Sequence, residues 1–413
     1  MTSSVSTPDL SDTKRTSHKS TLTAACAAHA THDGLSDLVY VFLPVWQEMF
    51  MLGYVWLSVL RSAYALTLAA LQIPATSLSL KFRPVHLLVG STMVTALGWL
   101  LAGLAGGATA LGAALVVAGV GGSVQHPIAS AMVSRAYGTA AKRPLGIYNF
   151  AGDVGKSLLP ASAAVLLTYG SYQHVVMVYA GVGLLAALLI WSQLKNVDTA
   201  SQHPATRRNA SSIRKGAEHP AAFRVLLFTA VLDSAVRMGF LTFLPFIIKA
   251  HGGSLAQTGI GLTLVFIGGA IGKFCCGWLA DSVGSSRAIV LTEVATALLI
   301  VVVLMAPLMT GMLALPLLGV VLNGTSSVLY GGVTDVVEAP GLERAFSVFY
   351  TGTIGAGAVA PVLYGYVGDH ASITAAVAVI AATAAVSFLP VSVAVFRRPD
   401  LFGEPARRST RQD

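Results

Sequence analysis

The second half of this chain repeats the apolar pattern of the first at a constant offset. Phe42-Leu43-Pro44 returns as Phe243-Leu244-Pro245, Leu78 as Leu279, Arg143 as Arg344 and Pro160 as Pro361, and every difference is 201 (245 − 44 for the first). Four separate segments in one register mean two copies with the same spans in the same order. Duplicated membrane bundles with a site where the copies meet are a recurrent plan of secondary transporters.

Composition supports a membrane setting. Of 413 residues, 54% are hydrophobic and 11% charged, against about 25% charged in an ordinary soluble domain. So few charges do not cover a water-facing surface. Runs long enough for about 20 helical residues number twelve, at roughly 33–52, 54–80, 85–104, 108–133, 144–169, 173–194, 223–249, 256–281, 287–308, 311–335, 343–368 and 372–396. The expected fold is an all-α membrane protein with twelve transmembrane helices in two pseudo-symmetric six-helix halves. The expected boundaries are an N-terminal tail over 1–32, one half over 33–194, a polar linker over 195–222, the other half over 223–396 and a C-terminal tail over 397–413. The first segment is Ser/Thr-rich and lacks a basic stretch followed by a short apolar core, so it reads as a tail and not a signal peptide.

Twenty-one of the 26 Lys and Arg residues fall in the termini and alternate connections. By the positive-inside rule both termini are cytoplasmic, in a multi-pass protein of a bacterial-type inner membrane. The net charge of +8 is thereby accounted for by topology, and no nucleic-acid partner is expected. Cys26, Cys275 and Cys276 form neither a disulfide framework nor a zinc site. Without a metal-ligand cluster, nucleophile motif or phosphate loop, the sequence points to no enzyme, cofactor or metal. The expected partners are a small-molecule substrate, protons and the bilayer, and the expected state is a monomer.

The ionisable residues inside spans include Arg61, Lys156, Arg237, Lys273, Asp37, Asp153 and Asp233. A charge near the bilayer centre costs about 2.5–3.5 kcal/mol on insertion scales, so each is expected to face the bundle interior or an aqueous cavity. Asn149, Asp153, Lys156 and Pro160 share one helical face, as do Arg61, Tyr64, Leu68 and Gln72. His29, Asp33 and Asp37 repeat at four residues, and Asp233 with Arg237 do the same. The bland alternative is intrahelical ion pairing, Asp233 with Arg237 and Asp153 with Lys156. His126, in Gln125-His126-Pro127, is either an interhelical hydrogen-bond partner or a proton carrier.

Between spans eight and nine stands Gly277-Trp278-Leu279-Ala280-Asp281-Ser282-Val283-Gly284-Ser285-Ser286-Arg287. This resembles the G-x-L-a-D-r-x-G-r-r loop signature of the major facilitator superfamily. Together with twelve spans, a central linker and the repeat, the resemblance covers nearly the whole chain. It implies a conformational clamp of Gly277, Asp281, Gly284 and Arg287, with Arg143 at the start of span five as the facing partner. The matching loop of the first half, Leu78-Ser79-Leu80-Lys81-Phe82-Arg83, departs from the signature: Leu80 stands at the acidic position and Arg83 at the turn glycine. The antiporter signature of span five is likewise unmet by Gly152-Asp153-Val154-Gly155-Lys156-Ser157-Leu158-Leu159-Pro160. Within the superfamily, His32-Asp33-Gly34 with Asp37 and Pro44, and His126-Pro127, resemble the bacterial fosmidomycin-resistance type of exporter.

The functional expectation is a secondary active transporter of a small organic compound, an anion being favoured, by alternating access and proton-coupled efflux. Proton-coupled uptake of an organic anion is the alternative, and a non-transporting membrane sensor the alternative of another class. Substrate contacts are expected from Lys156, Arg61, Arg237, Lys273, Asn149, Gln72 and His126, and proton carriage from Asp37, Asp153 and Asp233.

Overall fold

The computed structural model describes residues 10–79, 81–195, 197, 220–337 and 342–397. Every regular element among them is helical: α1 (Leu10–Phe50), α2 (Tyr54–Leu78), α3 (Pro84–Gly103), α4 (Ala108–Tyr137), α5 (Lys142–Leu166), α6 (Tyr172–Leu194), α7 (Pro220–Ala250), α8 (Leu255–Val283), α9 (Ser285–Met305), α10 (Leu308–Val336), α11 (Leu342–His370), α12 (Ile373–Ser387) and α13 (Leu389–Arg397). Among the described residues ten stretches are long and apolar enough to cross a membrane, with α12 and α13 counting as one. The two that fall short are α1 and α5, which carry Asp33, Asp37, Asp153 and Lys156. Adding them completes the twelve.

Two boundaries differ from expectation. The first helix starts at Leu10, so residues 10–32 are not an irregular tail. The segment Thr23-Ala24-Ala25-Cys26-Ala27-Ala28 is rich in the strongest helix former, and Ala24, Ala25 and Ala28 pack into a core with Leu88, Met132 and Ile190. The last span breaks at Phe388, between α12 and α13, because Pro390 brings no amide hydrogen to continue the helix. Most of the expected linker, the tail beyond Arg397, Leu80 and the side chain of Arg344 lie outside the described residues.

The chain divides into two compact units that cut across the expected halves. The first unit takes the chain up to Asp37, then Thr67–Leu159 and the stretch from Ser171 into the linker. The second takes Leu38–Leu66, Pro160–Gly170 and the described residues after the linker. Its core is built from α7 to α11, with Leu226, Ile289, Val328 and Phe349 buried together.

Polar contacts inside the second unit account for the end of α1 and the start of α2 belonging there. Arg61 donates to the carbonyl of Gly357 and Ser62 to that of Ala358. Asp369, near the C-terminus of α11, accepts from the amides of Tyr54 (2.6 Å) and Val55 (3.0 Å). It thereby caps α2, where two orphan donors and the positive helix end favour a carboxylate. Glu48 and Lys249 form an ion pair beside this cap.

Candidate functional site

In the first unit three helices aim ionisable side chains at one carboxylate. Asp33 of α1, 7% exposed, has Oδ2 at 3.2 Å from both His29 Nε2 and Lys156 Nζ, and Oδ1 at 3.2 Å from His126 Nε2. Helix spacing puts His29 one turn before Asp33, while α4 and α5 supply His126 and Lys156. Lys156 therefore pairs with Asp33 across helices. Glycine makes the approach possible: a Cβ at Gly152 would lie 2.6 Å from His29 Nε2, and one at Gly155 would collide with the Ala30 carbonyl. The imidazole of His29 stacks on Tyr148 at 4.1 Å between centroids, and Gln125 donates to the Tyr148 hydroxyl at 3.0 Å.

Hydrogen-bond bookkeeping fixes the tautomer of His29. Its Nδ1 lies 2.8 Å from the carbonyl oxygen of Tyr148. A carbonyl only accepts, so Nδ1 carries a hydrogen and, in neutral imidazole, Nε2 is a bare lone pair. That lone pair faces a carboxylate oxygen. The contact is attractive only when a proton lies in it, on the imidazole or on the acid. The three ligand-type atoms of His29, Asp33 and His126 lie within 4.8 Å of one another and would suit a divalent cation in kind. The Lys156 ammonium, however, sits against the same Asp33 oxygen, so a metal would be held there against a like charge.

In the second unit α7, α10 and α11 enclose a cavity of about 410 Å³ lined by Asp233, Arg237, Ser326, Ser327, Tyr330 and Tyr350 among others. Asp233 is 5% exposed, and the buried Nε of Arg237 has no hydrogen-bond partner. Among the described residues no ion pair within 4.0 Å joins the two, so the expected intrahelical bridge is not formed. Tyr330 lies 4.9 Å from Tyr350 and 5.7 Å from Phe349 between ring centroids, giving one wall an aromatic face.

The cluster and the cavity occupy equivalent positions of the repeat. Subtracting 201 from the cavity residues Ala230, Ser327, Phe349 and Thr353 gives His29, His126, Tyr148 and Gly152. Where the first copy has a large imidazole against a glycine, the second has Ala230 against Thr353. The space filled by His29 and His126 in one copy is open in the other.

A family model described as Major Facilitator Superfamily matches residues 25–227 and again 226–411. The chain belongs to the major facilitator superfamily. It is 25% identical to the fosmidomycin resistance protein of Escherichia coli (strain K12) over 372 residues, 88% of this chain and 90% of that protein. A bacterial homologue of the human lysosomal transporter Spinster, inward-facing and unoccupied, superposes with a TM-score of 0.71 at 15% identity, covering 94% of this chain and 99% of that one. The peptide transporter POT superposes with a TM-score of 0.74 at 13% identity, covering 92% and 95%. Family and fold together make this a multi-pass membrane transporter of a small molecule and not an enzyme.

The remaining site residues of this superfamily member are dispersed. Arg61 is 7% exposed. Besides Gly357 it donates to the Tyr40 hydroxyl at 3.2 Å and to Met238 Sδ at 2.8 Å, so its guanidinium is occupied by protein groups and not presented to a ligand. Lys273 and Asn149 are exposed on α8 and α5, and Gln72 is half-buried on α2; none of these three lines the cavity. Asp37 and Asp153 are half-buried, and both act on Lys156 through space. At the clamp, Gly284 has φ of 91° as it joins α8 to α9, a conformation that favours glycine. Gly277 is half-buried, and Asp281, Arg287 and Arg143 are exposed. Asp281 makes no ion pair within 4.0 Å among the described residues. Arg83, at the matching first-half turn, precedes α3 with φ of −63°, which asks for no glycine.

Asp33 and His29 are the members of the cluster that sequence reasoning left without a role. Their spacing of four was visible, but the convergence of α4 and α5 on them was not. Comparing polar positions across the offset of 201 would have flagged both, since His29 and Asp33 have only Ala230 and Ser234 as counterparts.

Proposed function

We propose that this protein is a proton-coupled exporter of a small organic anion, with the proton carried in the His29–Asp33 contact. The observation that carries the reading is the tautomer: Nδ1 of His29 is committed to the Tyr148 carbonyl, so the Nε2–Asp33 contact at 3.2 Å calls for a proton. A carboxylate with two imidazoles and an ammonium around it has cations competing for one anion. Protonating the His29–Asp33 pair weakens the hold of Asp33 on Lys156, and losing the proton restores it. Lys156 is thereby released to meet a substrate anion when the proton is bound, and recaptured when it leaves. This assigns to Asp33 the carriage expected of Asp37, Asp153 and Asp233, with His126 as a second acceptor.

The anionic end of the substrate has a further partner in Arg237, whose buried Nε lacks a hydrogen bond at the cavity wall. Guanidinium groups suit carboxylates and phosphonates, and a cavity of about 410 Å³ matches a compact ligand. Efflux is favoured by the resistance relative, and inner-membrane placement with cytoplasmic termini by the basic loops. In that orientation the end carrying the Asp369 cap faces outward, and the contacts there are ones an alternating-access cycle would make and break.

The test is flux in proteoliposomes, with fosmidomycin as the first probe and a panel of small organic anions beside it. A pH gradient of the proper sign should drive accumulation of at least one of them, and an ionophore should abolish it. Flux that is indifferent to the gradient would overturn proton coupling, and accumulation only under the reversed gradient would make this an uptake system.

A further inference from the structure

Glu293 of α9 belongs to neither site described above, yet it is among the most buried charged residues in the protein, at 1% exposed. Its Oε2 lies 2.6 Å from the hydroxyl oxygen of Ser387, and the same hydroxyl lies 2.7 Å from the carbonyl of Ala384. Ser387 has a single hydroxyl proton. The Ala384 carbonyl only accepts, and it sits one turn back along α12, where serine hydroxyls regularly bond the backbone. With that proton given to Ala384, two oxygens 2.6 Å apart are left facing each other. The contact becomes a hydrogen bond if Glu293 itself carries a proton and donates it to Ser387.

Two independent observations agree. The other oxygen, Oε1, is buried without any hydrogen-bond partner, which is tolerable for the carbonyl oxygen of a neutral acid and costly for a carboxylate. The repeat also places a second acid beside it. Subtracting 201 from Asp233 and Glu293 gives His32 and Thr92, and these two touch, His32 Nε2 lying 3.0 Å from Thr92 Oγ1. Asp233, on the cavity wall, is accordingly the charged neighbour of Glu293, with Arg237 one turn further along α7. On the opposite side α12 presents no ionisable side chain. Two carboxyl groups so placed oppose each other's ionisation.

We propose that Glu293 is a second proton-binding site, a neutral acid whose proton lies in the hydrogen bond to Ser387, beside the Asp233 carboxyl of the cavity. It goes beyond the His29–Asp33 reading and does not rest on it.

Infrared difference spectroscopy on the full-length protein in lipid tests this without a substrate. Glu293→Gln should remove a protonated-carboxyl C=O stretch, one that shifts down in heavy water, and leave the carboxylate bands unchanged. Loss of carboxylate intensity instead would show Glu293 ionised and overturn the proposal. Ser387→Ala keeps the acid but removes its acceptor, so the same band should move to higher frequency; a band that stays in place would overturn the Ser387 hydrogen bond, even if Glu293→Gln does not fold.

Discussion

The first copy of the repeat packs two imidazoles and an ammonium around Asp33, while the second leaves a cavity at the same address. The backbone positions correspond, so the difference lies in side-chain volume. His29 opposite Gly152 fills the first site, and Ala230 opposite Thr353 empties the second. The two copies of the scaffold thus differ at this address, one packed with charged side chains and one left open. Neither arrangement alone amounts to coupled transport under the proposed function.

The sharpest way to break this comparison is Asp33→Asn. With the carboxylate gone, Lys156, His29 and His126 lose their common partner, and gradient-driven flux should fall to background in reconstituted protein at equal expression. If Asp33→Asn transports normally and Asp233→Asn does not, the roles of the two copies are reversed.

Arg237→Gln comes next. Removing one charged hydrogen bond to a ligand anion costs about 1.5–3 kcal/mol, so the apparent KM should rise by about tenfold or more. The dependence on the pH gradient should survive, because under the proposed function the coupled proton is carried in the His29–Asp33 contact. A mutant that loses gradient dependence while keeping its KM would contradict the division of labour.

Ala230→His transplants the filling residue of the first copy into the second. Thr353 stands where the first copy has the glycine that His29 packs against, and overpacking against such a side chain costs about 1–3 kcal/mol. Thermal unfolding in detergent should register the loss, and substrate affinity should drop with the cavity volume. Unchanged affinity would mean the cavity is not where substrate binds.

The smallest effect is expected at Glu48→Gln, because both partners of its ion pair are substantially exposed. Exposed pairs contribute about 0.2–1 kcal/mol, so a small shift in the balance of conformations, read by the accessibility of single cysteines placed on either side, is the anticipated outcome. A large shift would promote this pair from accessory to essential.

The fold was legible because it rests on features that survive in one dimension. Apolar runs of membrane length, alternating basic loops and a constant offset carry the twelve helices without reference to any side-chain contact. The site was legible only in part. Lys156, His126, Asp233 and Arg237 stood out as polar residues inside apolar spans, a local signal. Their partners did not, because Asp33 gathers groups from α4 and α5 that lie 93 and 123 residues away in sequence (126 − 33 and 156 − 33). Arg61 carried the same local signal and turned out to be held by protein groups, the Gly357 carbonyl, the Tyr40 hydroxyl and Met238 Sδ, since a buried guanidinium has five donors to satisfy. The start of α1 was missed because an Ala-rich turn reads as neither charged nor strongly apolar.

The ion pair beside the Asp369 cap has a consequence for how such a protein can arise. Glu48 and Lys249 are 201 residues apart, which is the offset of the repeat, so each is the other's counterpart. The position thus touches its own counterpart in the repeat. In a symmetric dimer of half-length chains the same residue would face itself there, glutamate against glutamate or lysine against lysine, and the contact would repel. Opposite charges at a self-facing position require two genes or one fused gene whose copies have diverged. The pair is therefore a mark of asymmetry that fusion makes possible, and a dimer built from two identical first halves of this chain would have to close without it.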